Sequence, residues 1–200
     1  MKLLEKISED EVVALFLKTE ITSARWSNAM LEALNADGKN RTIIDMPDVS
    51  NEQENIYRMD LLEKLRGYKS RSKLFGEFPE EVGWHRALVS KGELAEVKYI
   101  KWDYWSELTN GTRLPKDAVK MLAQKNDSSE EQYFRDIAAA IRRGAKFHPL
   151  ILVGIDEDSP LVVLEGHARL TGYFYVPHLI SEEMEVIIGF SDHMQEWSEY

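Results

Sequence analysis

Apolar residues recur at three- and four-residue spacing through residues 10–35. Val12, Val13, Leu15 and Phe16 lead to Ile21, Trp26, Met30, Leu31 and Leu34, a pattern that predicts helix up to a stop at Asn35–Gly38. Ser50 with Gln53 three residues on reads as a capping box, and Ile56, Met59, Leu62 and Leu65 give the next helix an apolar face that ends at Gly67. Tyr68 to Glu81 mixes Lys, Arg, Gly, Ser and Pro and reads as a loop and boundary. Beyond it, Leu94 to Trp102 approximates the apolar/polar alternation of a half-buried strand.

Pro115, a favoured first helical residue, opens a short helix through Ala118, Val119 and Leu122. Ser128 and Glu131 suggest a second capping box, ahead of a helix with Tyr133, Phe134, Ile137 and Ile141 on one face and Gly144 at its end. Leu150–Val153 and Leu161–Leu164, joined by the acidic turn Asp156–Pro160, predict a hairpin of buried strands, and Met184–Phe190 adds another strand. No repeat or low-complexity tract interrupts this order.

The last strand of the hairpin runs into Glu165–Gly166–His167–Ala168–Arg169, where glycine permits a sharp turn and a helix is predicted to start at His167. The first N–H groups of a helix lack internal partners and carry the positive end of its dipole, so they attract phosphate or carboxylate. Arg169 in that first turn is unfavourable to the dipole and calls for an anion or an acidic neighbour. His167 suits phosphate binding, acid/base work or simply the start of the helix. Glu165 suits Mg²⁺ binding or activation of a hydroxyl, as carboxylates do in phosphoryl transfer, or else a salt bridge. The Thr171 hydroxyl either backs the site or bonds its own helix. Gly166 serves a tight turn whether or not anything binds.

Composition narrows the chemistry. With 200 residues, 44% hydrophobic and 30% charged, the chain is ordinary globular, and its start, acidic by Glu5, gives no secretory signal, so a cytoplasmic protein is expected. No run reaches the length of a membrane span. The absence of cysteine excludes disulfides and any sulfur nucleophile. A net charge of −10 opposes non-specific nucleic-acid binding. Residues 1–90 hold 13 basic and 16 acidic side chains, so most of the imbalance lies in the half with the anion motif, and a phosphate there belongs in a local pocket. His148, His178 and His193 lack metal-ligand spacing, and Trp84–His85–Arg86 reads as structural.

The order strand, helix, helix, hairpin, glycine turn, helix over residues 94–176 resembles the ParB/sulfiredoxin-like superfamily. The motif is carried by Gly144, Pro149–Val153, Leu161–Leu164 and Gly166–His167–Ala168–Arg169. The resemblance implies an α+β fold: a small mixed sheet flanked by helices over 91–200, preceded by a helical accessory region over 1–90. Sulfiredoxin chemistry needs a cysteine that this chain lacks. ParB proteins carry Gly-Glu-Arg-Arg and a following DNA-binding domain, whereas 31 residues follow Arg169 here. Free-serine kinases have Asp-Gly-His-His-Arg, to which Glu165–Arg169 is similar with two changes. That branch implies ATP or another nucleotide, Mg²⁺ and phosphoryl transfer to a small-molecule acceptor, or hydrolysis.

By the same resemblance Gly166, His167, Ala168, Arg169, Thr171 and Arg113 would hold the nucleotide. Glu165 and His167 would be catalytic, and Glu165 and Glu107 would hold metal, with Asp103 nearby. The alternative is a non-catalytic nucleotide-sensing or interaction module; a nuclease is disfavoured for want of a carboxylate cluster. The aromatic content permits a homodimer. Arg169→Ala is expected to abolish nucleotide binding with little effect on melting, on the premise that Arg169 is an exposed helix-end residue.

Overall fold

The computed structural model describes residues 1–23, 25–124 and 129–200. They form two compact units, one of residues 7–80 and one of residues 1–6 with 81–200.

The strand β1 (Lys2–Lys6) belongs to the second unit. The first unit holds α1 (Glu9–Glu20), α2 (Ser27–Ala36), the single turn α3 (Thr42–Asp45) and α4 (Glu52–Arg66). The predicted helix over 10–35 is thus two helices. The first closes at Ile21, with the following chain in successive turns that bond back to Leu17, Thr19 and Glu20. A reciprocal capping box between Ser8 and Glu11 starts α1. The cap of α4 is Asn51, whose side chain accepts from the Glu54 amide, so the box expected at Ser50 and Gln53 is corrected. Gly67 ends α4 in the left-handed conformation, as expected. Phe16, Leu17, Ile21, Met30, Leu34, Ile44 and Leu62 fill the core, and the stretch read as a loop adds Tyr68, Leu74, Phe75 and Phe78 to it.

The second unit continues with β2 (Gly83–Ser90), α5 (Lys91–Glu96), α6 (Asp103–Leu108), α7 (Pro115–Gln124) and α8 (Ser129–Arg142). Then come β3 (Leu150–Gly154), β4 (Val162–Glu165), α9 (His167–Tyr175) and β5 (Glu183–Phe190). The unit is α+β with a mixed open sheet in the order β1-β2-β5-β3-β4. β3 and β5 run parallel and every other neighbouring pair is antiparallel. β3 is buried along its whole length, which fits its unbroken apolar sequence. α7 and α8 pack on α9.

One strand expectation fails. Residues 94–102 begin inside α5, which Ser90 and Glu93 start with a capping box, and only Lys98 makes a bridge, to Val162 at the open edge of the sheet. Helical capping wins over the alternating pattern because Leu94, Val97, Tyr99 and Ile100 are each buried without a ladder to run along. The second capping-box candidate, at Ser128, lies outside the described residues. Among the described residues no helix is long and apolar enough to cross a membrane.

Candidate functional site

The turn after β4 is built around Gly166, which takes φ 109° and is buried. A Cβ there would stand 2.5 Å from a Leu150 methyl and 3.0 Å from Arg169 Nη2, so both backbone conformation and packing demand glycine. α9 begins at His167 as expected, with Gly166, which has no side chain to cap it, at the N-cap. His167 and Ala168 are half-buried at this opening.

Arg169 is not the exposed residue the sequence suggested, since only 7% of it is accessible. Its Nη2 pairs with Oε1 of Glu165, four residues earlier at the end of β4, at 3.2 Å. Its Nη1 donates to the carbonyl oxygens of Pro149, at 3.1 Å, and of His148. The acidic neighbour answers the dipole penalty of a cation at a helix start. Of the two outcomes open to Arg169, the structure therefore shows the internal partner. Glu165 is correspondingly committed, and could offer Mg²⁺ a carboxylate only by parting from Arg169.

Thr171 is fully buried. Its hydroxyl bonds the His167 carbonyl at 2.9 Å and the Tyr99 phenol at 2.7 Å, so it braces the helix start. Burial pushes the Tyr99 phenol far above its ordinary pKa and keeps it neutral. Tyr99 stacks on Trp105 at 4.1 Å between centroids, and Trp105 lies 5.4 Å from the His167 ring at 20°. This aromatic stack fixes the imidazole at the mouth of the turn.

The remaining candidates lie apart from that cluster. Glu107 stands two residues beyond Trp105 on α6, hence on another face of the helix, and is exposed, as is Asp103. The Arg113 guanidinium donates to the carbonyl oxygens of Glu199, at 3.3 Å, and Tyr200, at 2.8 Å, and burial lowers its pKa. Only its backbone reaches toward the stack, through the Tyr99 amide, which donates to the Arg113 carbonyl at 2.8 Å. Among the described residues no three His, Asp or Glu side chains converge as a metal site would need.

Beyond the loop that Arg169 holds opens a cleft of about 660 Å³, within the range of small-molecule sites, which none of residues 165–169 lines. The end of α8 supplies Arg142, the following loop Lys146 and His148, α9 Tyr173, and the start of β5 Glu183 and Glu185. Arg142 and Lys146 are exposed, and Glu185 pairs with Arg86. Two of the walls are tied to the turn: Arg169 holds the His148 and Pro149 carbonyls, and Leu150 lies against Gly166. Sequence reasoning missed this cleft, although Arg142, Arg143 and Lys146, three cations in five positions of the more acidic half, were its visible sign. No family model, curated protein or solved structure matches the chain.

Proposed function

We propose that the second unit has a ParB/sulfiredoxin-like fold and binds a nucleotide, with its phosphates at the first turn of α9 and the remainder in the adjoining cleft. The observation that carries this reading is the coupling of the two features. A helix start at a buried left-handed glycine is joined, through the Arg169 guanidinium, to the backbone of His148 and Pro149, two residues that line a cleft of ligand size. The amides of that turn supply donors, and Arg142 and Lys146 supply positive charge. Arg169 shapes the site as a positioning residue and does not grip the ligand in the observed arrangement.

The Glu165–Arg169 pair also supports a second reading, in which the bound nucleotide is turned over. A phosphate at the turn competes with Glu165 for the guanidinium, and the displaced carboxylate is then placed to accept a proton from an attacking hydroxyl of water or a small acceptor, or to help hold Mg²⁺.

Thermal denaturation with ATP, ADP, CTP and GTP, with and without Mg²⁺, tests binding. Stabilisation that grows with nucleotide concentration, and that Lys146→Glu weakens without altering the unliganded melting point, is the expected outcome. Indifference to every nucleotide would leave the unit an interaction module. Phosphate release that Glu165→Gln abolishes while binding persists would favour turnover.

A further inference from the structure

A second cavity, of about 340 Å³, lies wholly within the helical first unit. Its floor is the α4 face that bears Ile56 and Met59, and its rim carries Asp10 of α1 with Glu52 and Asp60 of α4. No Lys or Arg lines it. Beside it the segment Met46–Ser50 is tied to α4 by hydrogen bonds to its backbone carbonyls. The buried Arg58 donates to the carbonyls of Ile43, at 3.1 Å, and Asp48, at 2.9 Å, while the Asn55 amide bridges the Val49 carbonyl, at 2.8 Å, and Asp10, at 3.0 Å.

Despite that anchoring the segment leaves its apolar side chains outside. Met46 is 78% accessible and Val49 40%, and on α4 Ile56, which lines the cavity, is 49% accessible. The core of this unit is complete without them. The groove sets the exposed Ile56, with Met59, among acidic side chains, and exposed apolar surface in a groove marks an interaction site.

We infer that this groove receives a segment of another protein in which one or two aliphatic side chains are flanked by Lys or Arg. Charge complementarity selects that occupant. A second copy of this chain, packed about a two-fold axis, would set Asp10, Glu52 and Asp60 against their own equivalents, and like charges brought together at an interface are repelled. A basic segment meets the same rim favourably while its apolar residues cover Ile56 and Met59. The recognition mode is that of an amphipathic segment laid into a groove, anchored by few side chains and steered by charge.

The full-length protein and a fluorescein-labelled amphipathic peptide of leucine and lysine test this by fluorescence anisotropy. Saturable binding is expected. Ile56→Ser should weaken it by about tenfold, the usual consequence of losing an anchor. Asp60→Asn should weaken it several-fold, with an affinity that falls as salt rises, whereas Glu32→Gln, the same loss of charge on an exposed part of α2, should leave it unchanged. Both groove variants remove exposed atoms, so circular dichroism should match the parent. No saturable binding would overturn the inference. So would equal effects of Asp60→Asn and Glu32→Gln, which would mean attraction to bulk negative charge. Self-association abolished by Ile56→Ser would overturn it too, because the occupant would then be a second copy.

Discussion

Arg169 carries more of the structure than its place in a helix's first turn suggests. It satisfies two backbone carbonyls and one carboxylate in a nearly dry environment. Truncating one member of a buried pair strands the other, at a cost of about 3 kcal/mol. Arg169→Ala should therefore lower the melting temperature by on the order of 10 °C, the reverse of the near-neutral effect expected from an exposed residue. A melting point within a few degrees of the parent would show that the guanidinium does not hold these groups. Gly166→Ala should cost about 1–3 kcal/mol in chemical denaturation, because φ is left-handed and Leu150 occupies the space of a methyl group. The Glu165 partner was legible in the sequence as an acid four residues before Arg169. The His148 and Pro149 carbonyls were not, because no spacing rule connects a helix start to a loop twenty residues earlier.

Glu199 offers a pH test at the same scale. Burial raises its pKa, opposed by hydrogen bonds from Trp102 and Ser198 and by Lys101 and Arg113, and one of its oxygens has no hydrogen-bonding partner. A carboxylate whose folded pKa is raised contributes its stability fully below its unfolded value and loses it as pH rises through the folded value. Denaturant midpoints should accordingly fall as pH climbs from the ordinary value of 4.5, and Glu199→Gln should flatten that part of the profile. An unchanged slope in the variant would assign the pH dependence to other groups.

Among the elements, those with strong periodicity or unbroken apolar runs are where the pattern puts them: α4, α7, α8, β3, β4, α9 and β5. Two kinds of feature escaped. β1 and β2 pair with each other across some eighty residues, and β2 also pairs with β5, so their strand character depends on distant partners more than on local sequence. The stretch 94–102 shows the opposite failure, since its alternation is real but the Ser90–Glu93 box commits the chain to helix first. Ser90→Ala should cost about 1 kcal/mol by removing that cap. Urea unfolding measures it, and a loss within error of zero would mean that α5 is held by the burial of Leu94 alone.

At the scale of the whole molecule, the helical unit and the sheet-bearing unit carry separate proposals with separate tests. The groove on α4 rests on acid and exposed aliphatics, the cleft beside α9 on a helix start and cations. The helix start at Gly166 was readable from five residues of sequence, whereas the cleft depends on four segments that only folding assembles. The central claim is that phosphates bind where α9 begins. Amide chemical shifts of the ¹⁵N-labelled protein during titration with ATP measure this directly. Saturable shifts at His167, Ala168 and Arg169, together with Lys146 and His148, are the expected result. Saturation with those five amides unmoved, or no shift at any nucleotide concentration, would contradict it.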